Sequence, residues 1–216
     1  MIRELGKENS IFNKFIAEMR DVTIQKDSMR FRRNLERIGE IFAYEISKEL
    51  HYKDTQVQTP LGIADVQLPD DKIVIGVILR AGLPLHQGLL NYFDNAENAF
   101  IAAYRKYGKN NKFSIQFEYV SCPSIEKKVL ILVDPMIATG ASMDLAYRAL
   151  LEKGTPSYTH IVAPITSRDG LEYVQRNMPM KAVTIWVGAI DEELTVKSYI
   201  VPGLGDAGDL AYGEKV

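Results

Sequence analysis

The chain has 216 residues, a formal net charge of −2, 46% hydrophobic residues and a single cysteine. That length supports one sizeable core, and the near-neutral balance lacks the basic surplus of a general nucleic-acid binder. No apolar run nears the ~20 residues of a membrane-spanning helix, residues 1–10 hold no signal-peptide-like apolar region, and Cys122 has no partner for an intramolecular disulfide. The expectation is therefore a cytoplasmic protein with no membrane association and no nucleic-acid partner.

In chain order, residues 1–60 read as an N-terminal helical region. Within it, 29–50 carry the clearest helical period. Phe31, Leu35, Ile38, Phe42 and Ile46 mark one apolar face, while Arg30, Arg32, Arg33, Glu36, Arg37 and Glu40 fill a solvated one. Ile73–Leu79 reads as a buried strand running into Arg80-Ala81-Gly82. Pro84 then opens a helical pattern that continues to Phe93, proline being at home in a first turn. Ala99–Ala103 is a third short strand, ending at Tyr104-Arg105. Gly108-Lys109-Asn110-Asn111 signals a turn, and beyond it Phe113, Ile115, Phe117 and Tyr119 alternate with Ser114, Gln116 and Glu118. Residues 100–120 are thus expected to form a protruding hairpin arm rather than part of the central sheet. The apolar face of that arm suggests a homo-oligomer, at least a dimer.

The most informative stretch is 129–142. Val129-Leu130-Ile131-Leu132-Val133 is apolar on both faces, as in a buried parallel strand. It runs into Asp134, then Pro135-Met136-Ile137-Ala138-Thr139-Gly140-Ala141-Ser142, then a helical pattern from Met143 to Lys153. Ser142, or a neighbour in Thr139-Gly140-Ala141, is the expected helix N-cap. A strand, a small-residue turn and a helix N-terminus make an anion site, because unpaired N–H groups and the helix dipole both favour negative charge. Asp134 falls at the carboxyl end of the strand, where open α/β sheets bind their ligands. The stretch predicts a phosphorylated, hydroxyl-bearing ligand.

Thr159–Ile165 follows as strand, Arg168–Arg176 as helix and Ala182–Val187 as strand. Strands alternating with helices argue for one α/β domain with a mainly parallel sheet flanked by helices. The tail from Tyr199 to Val216, rich in Gly and Asp, reads as a structured loop.

Several motifs dissolve on inspection. Gly203-Leu204-Gly205-Asp206-Ala207-Gly208 matches a dinucleotide-binding pattern, but the eight residues after it leave no room for the helix, second strand and distant acidic residue that reading needs. Its glycines can instead bring backbone groups close to a flat ligand. His51, His86 and His160 offer no metal-ligand spacing, Ser142 lacks a nucleophile-elbow context, and Cys122 shows no sign of activation. Arg80 and Arg105 each follow an apolar strand, on strands expected to flank that of Asp134. Two such planar, permanently charged forks are candidates for a phosphate clamp.

Taken together, these residues closely resemble the uracil phosphoribosyltransferase family. Asp134 to Ser142 is similar to its loop for phosphoribosyl pyrophosphate (PRPP), and Tyr199 to Asp209 resembles its C-terminal uracil-binding segment. Ile78-Leu79-Arg80-Ala81-Gly82-Leu83 and Tyr104-Arg105 match two further segments in the right order, with weaker marks at Arg30-Phe31-Arg32 and Tyr44-Glu45. The resemblance implies a type I phosphoribosyltransferase-like fold with a C-terminal base-binding hood over 195–216. It implies transfer of phosphoribose from PRPP to N1 of uracil, giving UMP and pyrophosphate, with Mg2+ carried by PRPP rather than held directly by the protein. Backbone amides from Ala138 to Ser142, with the hydroxyls of Thr139 and Ser142, would cradle the 5′-phosphate, the whole stretch from Pro135 forming the PRPP loop. Asp134 would accept from the ribose hydroxyls, and Arg80 and Arg105 would hold pyrophosphate. Ile200, Gly205, Asp206 and Ala207 would meet the base, with Asp206 also facing PRPP. Nothing in the resemblance requires a side-chain nucleophile or general base.

Three positions depart from common patterns. Ala141 stands where the family usually has glycine, which is harmless at negative φ and strained at positive φ. Pro135 replaces the second acidic residue of many other phosphoribosyltransferases, a trait the uracil enzymes share. Residues 106–128 match poorly, with Lys106-Tyr107-Gly108-Lys109 in place of acidic residues. Two other readings follow: an RNA-binding pyrimidine-operon regulator with a retained nucleotide site, or a weakly active paralogue. Regulation by GTP or UTP stays open.

Overall fold

The computed structural model describes the backbone of residues 1–107 and 113–214, with side chains outside 103–118. A short strand, β1 (Ile2–Glu4), opens the chain and is followed by helices α1 (Ile11–Arg20) and α2 (Ser28–Ser47). Ser10 caps α1 by accepting from the Phe12 N–H, and Asp27 caps α2 by accepting from the Arg30 N–H. The α2 stripe is buried as its period predicts: Phe31, Leu35, Ile38, Phe42 and Ile46 all lie in the core.

The N-terminal helical region needs a correction. Its helices end at Ser47, and an antiparallel hairpin of β2 (Tyr52–Thr59) and β3 (Gly62–Pro69) follows as a sheet of its own. Its apolar alternation, Ala64-Val66-Leu68, is short, and β2 adds only Val57 to that face. So little periodicity, on strands that are mostly exposed, gives no core-facing signal.

Next come β4 (Ile73–Leu79), α3 (Leu83–Leu90), β5 (Glu97–Tyr107), β6 (Phe113–Ser121), β7 (Val129–Val133), β8 (Met136–Ile137) and α4 (Ala141–Leu151). The chain continues through β9 (Tyr158–Ser167), α5 (Arg168–Asn177) and β10 (Val183–Asp191). The tail is more than a loop, a second correction: it holds β11 (Glu193–Leu194), β12 (Ile200–Val201) and a short helix α6 (Ala207–Tyr212).

The central sheet runs β1-β10-β9-β7-β4-β5-β6, with β8 beside β9. Every pairing is parallel except β5 with β6. The arm expectation is therefore corrected as well. The first half of β5 pairs with β4 from Val74↔Glu97 to Leu79↔Ala102, so 100–120 begins inside the sheet. Beyond Ala102 the register shifts, and β5 continues past the end of β4, paired only with β6. The expected turn at Gly108–Asn111 lies outside the described residues.

Residues alternate between two cores on the two sheet faces. From β7, Val129, Ile131 and Val133 pack with α1, α2 and α3, while Leu130 and Leu132 pack with α4 and α5. Burial on both faces explains why β7 is a continuous apolar run. From β4 the chain goes one way, to β5, and from β7 it goes the other, to β9 and β10. The strand order thus reverses between β4 and β7, and the crevice outside their carboxyl ends is where such sheets bind ligands. No helix among the described residues is long and apolar enough to cross a membrane.

Candidate active site

Asp134 follows β7 at that reversal and is half-buried. Its carboxylate accepts one long hydrogen bond, from the Met136 N–H at 3.4 Å. Burial with so little compensation pushes its pKa up to about 7. A carboxyl in this state has capacity to accept further hydrogen bonds.

The turn after it is stapled to β9. The Ile165 N–H donates to Pro135 O at 3.2 Å, and Thr166 Oγ1 donates to Ile137 O at 3.1 Å. Met136 and Ile137 pair with Ile165 and Thr166 as β8. Ser167 Oγ donates to Ala138 O and accepts from the Gly170 N–H, tying the turn to the start of α5. At Gly140 the backbone is left-handed, φ +79°, and a Cβ there would sit 2.7 Å from Gly170 O. Only glycine fits that position.

Of the expected candidates, Gly140 rather than Ser142 is the N-cap of α4, and no side chain caps the helix. Thr139 Oγ1 reaches only the Ala141 N–H, at 3.4 Å. The first-turn N–H groups are left open to an anion, with Ala138, Thr139, Ala141 and Ser142 all half-buried around them. Ala141 is the first helical residue and is not among the positive-φ residues, so its methyl causes no strain.

Arg80 follows β4, whose Val77 pairs with Val133 of β7. It therefore shares the crevice end with Asp134. Its Nη2 donates to Gly213 O at 3.1 Å and lies 3.6 Å from Asp209. Arg80 Nε and Asp209 Oδ1 are buried without a partner. Arg105 is placed differently from expectation. Its strand, β5, lies beyond β4 and does not flank β7, whose neighbours are β4 and β9. The side chain of Arg105 lies outside the described residues.

The tail folds over this end of the sheet as a hood. β11 and β12 pair antiparallel, Leu194 facing Ile200, and Ile200, Leu204, Ala207 and Gly208 are buried. Gly203 is left-handed, φ +54°, and a Cβ there would meet Ile200 O at 2.1 Å. Gly205 is also left-handed, φ +92°, yet nothing lies within 4 Å of its missing Cβ. One glycine is needed for contact, the other for backbone direction beside open space. Asp206 caps α6, its Oδ1 accepting from the N–H groups of Gly208 at 2.8 Å and Asp209 at 3.0 Å. Arg32 of α2 donates to Ala211 O at 2.7 Å and stacks 5.9 Å from the Tyr212 ring centre.

Residues the sequence reading passed over also hold the hood. Arg20 and Asp191 pair through two bonds of 2.8 Å, and both reach Gly203. The partners are far apart in the chain, so no local pattern could have found them. The histidines stay outside the site. Trp186 Nε1 donates to His160 Nδ1 at 3.0 Å, and burial holds the His160 pKa down at about 4. His86 bonds Asn98 in the interior. Burial pushes the Cys122 thiol up, away from reactivity. No group of three or more His, Cys, Asp and Glu among the described residues is placed to hold a metal ion. Asp206 and Asp209 are the carboxylates at α6.

Comparison with known proteins agrees with this geometry. The family described as uracil phosphoribosyltransferase matches residues 7–214. A uracil phosphoribosyltransferase of Porphyromonas gingivalis is 57% identical over 212 residues, covering 98% of each chain. One from Pyrococcus furiosus is 36% identical over 206 residues, covering 94% of this chain and 86% of the other. Among solved structures, the AQ2163 protein from Aquifex aeolicus superimposes with a TM-score of 0.87 at 30% identity, over 100% of both chains.

Proposed function

The chain belongs to the uracil phosphoribosyltransferase family, and from that premise we propose how its residues divide the reaction. The enzyme is a pentosyltransferase that joins uracil to the phosphoribosyl group of PRPP, giving UMP and pyrophosphate. Uracil N1 attacks the anomeric carbon as pyrophosphate leaves from the opposite face, so the work of the protein is alignment and charge stabilisation.

The open N–H groups of Ala138 to Ser142, with the hydroxyls of Thr139 and Ser142, hold the 5′-phosphate. Asp134 accepts from the ribose 2′- and 3′-hydroxyls. The observation that carries this reading is its poorly satisfied carboxyl beside an uncapped helix start. Arg80 grips the pyrophosphate, its unpaired Nε gaining a phosphate oxygen, and Arg105 is assigned the same role. Ile200, Gly205, Asp206 and Ala207 present backbone groups to the pyrimidine edge. A site of that kind rejects cytosine, whose donor and acceptor are exchanged at ring positions 3 and 4 and would leave buried groups unpaired. Asp206 uses Oδ1 as a helix cap, which leaves Oδ2 to face PRPP. Mg2+ bound to PRPP supplies positive charge to the leaving pyrophosphate. No protein nucleophile or general base is assigned.

A single cysteine, with no partner in the sequence for an intramolecular disulfide, favours a cytoplasmic setting. The working form is proposed to be a homodimer, with the β2–β3 hairpin meeting a second copy. Val57, Ala64, Val66 and Leu68 share one face of it, and Leu61 at its tip is 99% exposed. A two-stranded hairpin is marginal alone in water, and a second copy supplies the apolar cover it lacks. Leu68→Asp should shift the protein toward monomer in sedimentation; an unchanged mass rules out this contact.

The test of the activity is product formation from a panel of free bases with PRPP and Mg2+. UMP from uracil, with little product from cytosine or hypoxanthine, is expected. No product from any base contradicts the assignment.

A further inference from the structure

The uracil-binding segment recognises its ligand through the backbone, so its accuracy depends on whatever holds that backbone still. We infer that Arg20 and Asp191 are a positioning pair that sets the geometry of this segment and thereby the affinity and selectivity for the base. The inference rests on the reading of Ile200 to Ala207 as the base site.

Arg20 is the last residue of α1 and Asp191 the last of β10. The guanidinium meets the carboxylate as a fork, Nη1 to Oδ2 and Nη2 to Oδ1, both at 2.8 Å. The same Nη1 donates to Gly203 O at 3.0 Å, and the Gly203 N–H donates to Asp191 Oδ2 at 3.0 Å. One ion pair therefore holds both backbone groups of a single residue. The Asp191 side chain is 8% exposed and that of Arg20 is 22% exposed, so solvent screens the pair little.

Gly203 is the residue this grip can act through. Its left-handed turn folds the chain so tightly that its Cβ position would lie 2.1 Å from Ile200 O. Fixing Gly203 thus fixes Ile200 on one side, and the run from Leu204 to Ala207 on the other. Gln25, with its amide turned to satisfy both ends, adds a bond to Leu204 O at 2.8 Å. Arg20 and Gln25 come from the N-terminal segment and Asp191 from the end of β10, whereas the phosphate loop is fastened to β9.

A buried ion pair is a poor source of stability, because desolvation of both partners offsets their attraction. What an arginine fork adds is direction, since its planar donors fix two acceptors at once. Arg20→Lys keeps the charge but offers one nitrogen in place of two, so it loses the second arm of the fork, Nη2 to Asp191 Oδ1, and with it the fixed direction of the pair. Base recognition through fixed backbone groups tolerates little displacement.

The test is steady-state kinetics with each substrate varied in turn, on Arg20→Lys, Asp191→Asn and, as a direct lesion of the hood, Gly205→Ala. For Arg20→Lys, KM for uracil should rise at least about tenfold while KM for PRPP stays within about twofold. Preference for uracil over cytosine in kcat/KM should fall by a similar factor. Should Arg20→Lys fail to fold by circular dichroism, Asp191→Asn carries the same expectation, since it preserves shape and one acceptor. Equal changes in both KM values, or a lowered Tm with unchanged kinetics, overturn the inference and leave a merely structural pair. If Gly205→Ala impairs uracil binding while neither pair variant does, the inference fails and the base site stands. If none of the three affects uracil, the base site itself is wrongly placed.

Discussion

The loop proposed to hold phosphate and the hood proposed to hold uracil are held in place by different means. The loop is fastened by short-range and neighbouring-strand bonds: β8 pairs with β9, Thr166 and Ser167 hold the carbonyls of Ile137 and Ala138, and Gly140 turns tightly against α5. The hood is fastened by side chains from elements outside it, with Arg20 of α1 and Asp191 of β10 on Gly203 and Arg32 of α2 on Ala211. On the proposed reading, the difference teaches that the invariant half of the reaction, the phosphoribosyl group, rests on the sheet itself, while the variable half, the base, rests on a segment whose position a few side chains decide.

The largest effect that tests this contrast belongs to the loop. Asp134→Asn removes the charge that the ribose hydroxyls would meet. Its kcat/KM for PRPP should fall by about 10- to 100-fold, with KM for uracil little changed. The same residue predicts a pH dependence. Hydroxyl donors favour the carboxylate, so PRPP binding releases a proton from a group whose pKa in the free protein is about 7. Affinity for PRPP should therefore rise with pH up to about 7 and level off above it, as read by calorimetry, and Asp134→Asn should flatten that rise. For stability the sign is opposite. The native carboxyl is raised above its ordinary 3.8, so the native state holds a proton the unfolded chain has lost. Asp134 therefore opposes folding increasingly as pH climbs toward about 7. Asp134→Asn should have the higher Tm at pH 8, and a lower one would contradict the burial argument.

Gly140→Ala comes next. Left-handed backbone and the approach to Gly170 O should cost about 1–3 kcal/mol, seen as a lowered Tm, with a raised KM for PRPP rather than uracil. If the uracil KM rises instead, the two regions are not separable in this way. Asp206→Ala should cost only about 1 kcal/mol of stability as a lost cap while lowering turnover by about tenfold or more. Normal turnover would remove Asp206 from the site. The smallest effect is expected at Ala141→Gly. Because Ala141 already has helical geometry, restoring glycine should gain no activity and cost at most about 1 kcal/mol. A marked gain in activity would revive the idea of a weakened paralogue.

The two regions also differ in how legible they were. The loop could be read because everything that defines it is contiguous: the doubly apolar β7, Asp134 at its end, small residues, then a helical period. Even there, the cap was narrowed only to the four residues from Thr139 to Ser142, because a left-handed turn at Gly140 leaves no side-chain signal to single it out. In the hood, the residues proposed to face the base were assigned by resemblance, but α6 was not legible. It is a single short helix held by Asp206 and by Arg32 from α2, and propensity over so few residues carries no weight. The grip of Arg20 and Asp191 left no trace in sequence because it joins residues 171 apart. β1 was invisible for a related reason: its three residues are strand only because β10 lies beside them. The order of β4 and β5 was misread because apolar runs show that strands are buried, not which strands are neighbours. Only the observed sheet order separates Arg105 from the strand of Asp134.

The most direct measurement is a crystal structure of the enzyme with UMP, which spans both regions at once. The account predicts the 5′-phosphate within hydrogen-bond distance of the N–H groups from Ala138 to Ser142, the ribose hydroxyls on Asp134, and the pyrimidine edge against the backbone of Ile200 to Ala207. A phosphate bound away from the start of α4, or a base with no contact to the hood, would contradict it.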